Sequence, residues 1–169
     1  KFVAAVAERA KALKVGDALD PSTQMGPAVT DAQLAGNLKY VDIAMKQGGR
    51  VLAGGAEGLK LGNPGYYMSP TLIVDTKASD TINQEEVFGP FTSVTPFKDE
   101  ADALRLANDS PFGLAAAIRT RDIGRAHRLA AAVKAGIVWI NDHHRVDPAS
   151  PWGGVDDSGI GRECGIESF

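Results

Sequence analysis

Apolar residues recur at helical spacing along the opening stretch KFVAAVAERAKAL, with Phe2, Val6, Ala10 and Leu13 on one face, which predicts an amphipathic helix. VGDALDPSTQMGP follows, rich in Gly, Pro and Asp, and reads as a surface connection. Thr30 and Gln33 have the spacing of a capping box, in which the hydroxyl accepts from one unpaired helix N–H and the amide reaches back to another. A second helix should follow with Leu34, Leu38, Val41 and Met45 inward, ending at Gly48 and Gly49.

Short strands are predicted at 50–53 and in the β-branched run 71–74, separated by the turn-rich excursion GGAEGLKLGNPG. Pro90 then stands at the entry of a strand, a position that needs no N–H donor. From there strands at 91–97, 114–119 and 136–141 alternate with helices at 99–108 and 121–134. This alternation implies crossover units and an α/β fold with an open, mainly parallel sheet flanked by helices. At 169 residues a single domain over 1–169 is expected. GRECGIESF begins a further predicted helix that reaches Phe169 without a cap, and nothing before the first helix could cap it. Both features lead us to expect a piece of a longer chain.

Composition narrows the picture modestly. Hydrophobic residues at 44% and charged residues at 23% are ordinary for a globular domain, which excludes a disordered or fibrous chain. Eighteen basic against 21 acidic residues give a net charge of −3 without a Lys/Arg run, so no nucleic-acid partner is expected. No apolar run approaches a membrane span and no secretory pattern opens the chain, so the expected location is cytoplasmic, with no membrane association. The single cysteine cannot form an internal disulfide.

Candidate chemistry concentrates in two stretches. Parallel sheets bind ligands beyond the carboxyl ends of their strands, and AGIVWIN runs into Asp142, His143, His144 and Arg145, followed by Trp152 and two glycines. His143 and His144 are adjacent, point in different directions and lack an acidic or Cys partner at ligand spacing, so no metal is expected. His127 is read as a partly exposed helical side chain. The glycines at 159, 161 and 165 follow Asp156 and Asp157, not a strand, and those carboxylates would repel a diphosphate. Cys164 has Glu163 as well as Arg162 beside it and is expected to pack, not to react. QEEVFGP at 84–90 allows two readings. It is either a loop whose acids favour a nearby helix N-terminus with Phe88 as core, or a site whose carboxylate takes both hydroxyls of a ribose while the ring supports a flat nicotinamide.

Taken together, QEEVFGP at 84–90, NDSPFGLAAAIRTRD at 108–122, AGIVWIN at 135–141, PWGG at 151–154 and SGIGRE at 158–163 resemble the NAD(P)-dependent aldehyde dehydrogenases. VGDALDPSTQMGP at 15–27 and GYYMSPTL at 65–72 are weaker matches, and the order of the motifs runs through nearly the whole chain. The resemblance implies oxidation of an aldehyde to a carboxylic acid. A cysteine thiolate attacks the aldehyde, hydride passes to NAD or NADP, and a glutamate activates water to hydrolyse the thioester. It further implies that Glu86 holds the nicotinamide ribose and Phe88 lies beside the nicotinamide. Asp142, Val146 and Trp152 would touch a small-molecule aldehyde in the loop after Asn141.

The same resemblance places this chain in the later part of the catalytic domain. The nucleophile, the glutamate base and the nucleotide-binding domain would all lie before Lys1, so no catalytic residue is assigned within the chain and the isolated chain is expected to be inactive. Cys164 does not match the nucleophile, and Asp156 stands where many relatives have lysine. The parent, completed by the missing remainder, is expected to be a homo-oligomer whose assembling strand lies beyond Phe169. Two other readings stand beside this one. One is a non-enzymatic α/β binding or structural remnant, and the other is part of an acylating semialdehyde or acyl-phosphate reductase.

Overall fold

The computed structural model describes residues 1–166, and the chain forms two compact units, Lys1–Pro96 and Phe97–Phe169. In the first unit, α1 (Phe2–Ala12) buries Ala7 and packs Val3, Val6 and Ala10 with Ala53 and Leu72. The buried stripe is therefore 3, 6, 7 and 10, and Phe2 lies off it, 71% exposed. Helix α2 (Asp31–Lys46) starts at Thr30, whose Oγ1 accepts from the Gln33 N–H at 3.1 Å. Its buried positions are Asn37, Val41 and Ala44, with Leu34 and Leu38 packed alongside, while Met45 is exposed. Met45 was expected inward, but it is 42% exposed, and the buried residue of that last turn is Ala44.

Gly48 ends α2 with φ +102°, and its N–H donates to the Met45 carbonyl while the Gly49 N–H donates to that of Ala44. This double closure satisfies two of the helix's free carbonyls and needs a residue tolerant of positive φ. The chain then enters β1 (Arg50–Ala53), followed by the small hairpin of β2 (Gly58–Leu59) and β3 (Tyr67–Met68), and by β4 (Thr71–Val74). A short helix α3 (Thr81–Gln84) leads through QEEVFGP into β5 (Phe91–Val94). The strands order as β1-β4-β5, with β4 antiparallel to β1 and parallel to β5.

Central β4 is buried along its whole length, because Leu72 joins the apolar cluster on α1 and Ile73 joins the cluster on α2. Alternating side chains thus send one strand into both layers of the core.

The second unit contains α4 (Glu100–Ala107), β6 (Phe112–Gly113), β7 (Ala115–Ile118), α5 (Ile123–Ala132), β8 (Ile137–Ile140) and β9 (Val155–Asp156). Asp99 and Asp122 cap the two helices by accepting from the N–H groups of Asp102 and Arg125. Strands β7 and β8 pair in parallel across α5, as a crossover unit requires, and β6 pairs antiparallel with β9. The α/β class expected from the alternation is present, with mixed sheets. The predicted strand 91–97 stops at Val94, leaving Phe97 exposed. The helix expected from Gly161 does not form over the described part of that stretch: Glu163 pairs with Trp152 as an isolated bridge and Cys164 has φ +62°. Residues 167–169 of that predicted helix lie outside the described residues.

Glu100 clips α4 to α5 by accepting from Arg125 Nε at 3.0 Å and from Arg128 Nε and Nη2 at 3.1 Å. Asn108 adds a second tie, donating to the Ala132 carbonyl and accepting from the Lys134 N–H. Gly136 sits so close to the Gly153 carbonyl that a Cβ there would lie 1.8 Å from its oxygen.

Three outcomes are expected. Leu72→Ala should destabilise the protein by about 2–5 kcal/mol in denaturant titration, as cavities in closed cores do. Gly136→Ala should lose the second unit's native structure with no change in charge, seen as loss of amide-exchange protection over β7 and β8. The Glu100 carboxyl is held below its ordinary value of 4.5 by hydrogen bonds from Arg128 first and Arg125 second. Its contribution is therefore complete above that ordinary value and lost as pH falls through the lower folded one. Glu100→Gln should melt below the parent protein at neutral pH, and the gap in Tm should close in acid.

Candidate functional site

The two carboxylates of QEEVFGP have different surroundings. Tyr40 Oη, on α2, donates to Glu85 Oε2 at 2.6 Å, and this bond is the main reason the phenol is pushed above its ordinary value. Glu86 is exposed and takes part in no hydrogen bond or ion pair among the described residues. The Phe88 ring is 77% exposed, which rules out the reading of Phe88 as core within this chain. Its carbonyl is tied down instead, accepting from Gln33 Nε2 at 2.8 Å.

Gly89 passes so near the buried Asn37 amide that a Cβ would lie 2.4 Å from it. Phe88, Gly89, Pro90, Gln33, Asn37 and Met68 border a cavity of about 450 Å³. Gly89 and Pro90 also border an apolar groove of about 580 Å³, which Phe2, Val6, Leu13 and Pro70 help to line.

Gln33 therefore does less capping than its spacing suggests. The Thr30 half of the capping box is present, but the Gln33 side chain donates to Phe88 and to Asn37 Oδ1, not back to the helix start. From the sequence Gln33 was read only as half of a capping box, and Asn37 and Tyr40 were not singled out. The available signal was Asn37, a polar residue set among the inward positions Leu34, Leu38 and Val41.

In the second unit, β8 delivers Asn141 in a left-handed conformation, φ +56°, with its side chain bridging both backbone groups of Thr120. Asn tolerates that region better than most residues. Trp139 organises the loop that follows. Its Nε1 donates to the Arg145 carbonyl at 2.9 Å, and its ring centroid lies 5.6 Å from His143, edge-on, and 6.1 Å from Trp152.

Trp152 is half-buried and fixed by backbone bonds in both directions with Glu163. Trp139, Arg145, Asp147 and Trp152 help line a cavity of about 400 Å³. Asp142 and Val146 are exposed, and the Asp142 carboxylate accepts from the His143 N–H at 2.8 Å. Of the three residues expected to touch substrate, only Trp152 is drawn into this aromatic cluster.

The glycine-rich stretch has a structural occupation. Arg162 Nη1 donates to the carbonyls of Gly154 and Gly161, and Ser158 Oγ accepts from the Gly113 N–H. A Cβ on Gly153 would lie 2.7 Å from the Gly161 oxygen. The glycines of PWGG thus let backbone pack closely, whereas Gly159 and Gly161 of SGIGRE have open space around them and supply positive φ, +122° and +82°. His127 is exposed on α5, and no group of three or more His, Cys, Asp or Glu among the described residues could hold a metal ion.

Over 164 residues the chain is 45% identical to a betaine aldehyde dehydrogenase of Cereibacter sphaeroides, covering 97% of this chain and 33% of that protein. It is 43% identical to an acetaldehyde dehydrogenase of Pseudomonas aeruginosa, covering 96% and 32%. Among solved structures, the betaine aldehyde dehydrogenase of Staphylococcus aureus in complex with NAD+ superposes with a TM-score of 0.95 at 40% identity, over 99% of this chain and 33% of that one. The chain thus spans about a third of the length of the relatives it matches. With the Aldehyde dehydrogenase family matched across residues 1–169, this chain belongs to that family.

Proposed function

We propose that the chain is the later part of the catalytic domain of a longer NAD(P)-dependent enzyme that oxidises a small aldehyde to its carboxylic acid through a cysteine thioester. In this reading residues 1–169 form one domain of that enzyme, its nucleotide-binding domain, nucleophile and base lie outside them, and the isolated chain is inactive. The parent is a cytoplasmic homo-oligomer.

The observation that carries the reading is the contrast between the paired acids. Glu85 is occupied by Tyr40, whereas Glu86 is exposed and unengaged beside the exposed ring of Phe88. An ionised carboxylate offers acceptor sites for two neighbouring hydroxyls, and a bare aromatic face suits a flat heterocycle. These residues fit a nicotinamide riboside. When bound, the nicotinamide supplies the acceptor for hydride. Glu86 would hold the ribose hydroxyls and Phe88 would limit the ring's freedom, while the fixed Gly89-Pro90 turn keeps both in place.

On the substrate side, Asp142, Val146 and Trp152 would contact the aldehyde. The relatives named for betaine aldehyde make a quaternary ammonium aldehyde a reasonable first substrate, since the faces of tryptophan rings attract such cations.

Two results are expected of the longer protein. Glu86→Gln should raise the KM for the nicotinamide cofactor about tenfold or more and slow hydride transfer, because an amide accepts less well from two hydroxyls. Unchanged cofactor binding and hydride transfer would remove Glu86 from the site. Trp152→Ala should change the ratio of kcat/KM between betaine aldehyde and a neutral aliphatic aldehyde while leaving cofactor binding alone. An unaltered ratio would take Trp152 out of the substrate contacts.

A further inference from the structure

One face of α2 grips the loop at 85–90 at both of its ends. Gln33, Asn37 and Tyr40 stand at i, i+4 and i+7, the spacing that stacks side chains on one side of a helix. At the loop's start, Tyr40 Oη holds Glu85 Oε2 at 2.6 Å. At its end, Gln33 Nε2 holds the Phe88 carbonyl at 2.8 Å and also donates to Asn37 Oδ1 at 3.0 Å. Asn37, 2% exposed, presses against Gly89, where a side chain would collide with its amide. The loop tightens itself as well, since the Gly89 N–H donates to the Val87 carbonyl and the Phe91 N–H to that of Gly89. Glu86 falls between the two grips with nothing holding its carboxylate.

We propose that Gln33, Asn37 and Tyr40 are positioning residues that select which of two adjacent carboxylates is presented, by occupying Glu85 and fixing Phe88 and Gly89 so that Glu86 alone is offered to a ribose. This rests on the cofactor reading of Glu86 and goes beyond it, because none of the three need touch the cofactor. Without the Tyr40 bond, Glu85 becomes a second free acid one residue away. Without the Gln33 bond, the carbonyl that anchors the ring-bearing residue is released. Asn37 contributes shape and an acceptor that fixes the rotamer of Gln33.

The test uses the full-length protein with Tyr40→Phe, Gln33→Met and Glu86→Gln. The first keeps the ring that packs beside the α2 core cluster, and the second keeps the length of the side chain, so both should fold. Tyr40→Phe and Gln33→Met should each raise the KM for NAD+ or NADP+ by about three- to tenfold. The aldehyde KM should stay unchanged, and amide exchange over 87–91 should accelerate. A merely structural role would lower Tm without separating the two KM values. If Glu86→Gln raises the cofactor KM while Tyr40→Phe and Gln33→Met leave both that KM and the exchange rates unchanged, the positioning role is overturned. If Glu86→Gln itself leaves cofactor binding unchanged, the cofactor reading fails, and the selection of Glu86 fails with it.

Discussion

The first unit depends on the complete burial of β4, a four-residue strand with no exposed side chain. Leu72 and Ile73 face opposite layers, so α1 and α2 are both referred to the same strand and neither can shift without opening a cavity. That rigidity extends to chemistry through α2. The helix that buries Val41 and Ala44 in the core also carries Gln33, Asn37 and Tyr40 to the loop before β5. The loop's other end continues directly into the strand paired with β4, through the bond from the Thr71 N–H to the Pro90 carbonyl. The exposed carboxylate and ring therefore sit on a segment fastened on both sides, which suits residues that must hold a ligand still.

The second unit is built with less apolar burial and more backbone contact. All four residues of β8 are apolar but only half-buried, and α4 buries none of its side chains fully. Cohesion comes from the Glu100 clip, the Asn108 tie, and the approach of Gly136 to Gly153 and of Gly153 to Gly161. Glycine at those points removes the side chain that would otherwise hold two main chains apart. The same residue type that suggested a phosphate loop is used here to close distances between strands and turns.

Much of this was legible from spacing. Helices α1, α2, α4 and α5, the parallel pair β7–β8 and the strand entry at Pro90 follow from apolar periodicity and proline's missing donor, and the family followed from motif order. What was misread has identifiable physics. Phe2 and Met45 are apolar and were placed on the buried faces, yet they are 71% and 42% exposed, while the buried residues include Ala7 and Ala44, whose small size hides their importance. Gln33 satisfied a local rule at its backbone while its side chain served a partner 55 residues away, a pairing no local window can show. Cys164, at positive φ, lies in a turn that helix spacing alone could not distinguish from a helix start. Asp142 and Val146 were chosen by motif, and only the tertiary arrangement shows Trp152 to be the member drawn into the cluster around Trp139.

The pairing of β6 with β9 has a consequence for how the chain is made. Every strand pairing of the first unit is available once Val94 has emerged from the ribosome, because β1, β4 and β5 all lie before that point. Phe112 and Gly113, by contrast, must wait for Val155 and Asp156, and the Gly113 N–H must wait for Ser158. A pause in translation between these points would leave a finished first unit tethered to an open second one. In that interval β6 would stand without its partner strand.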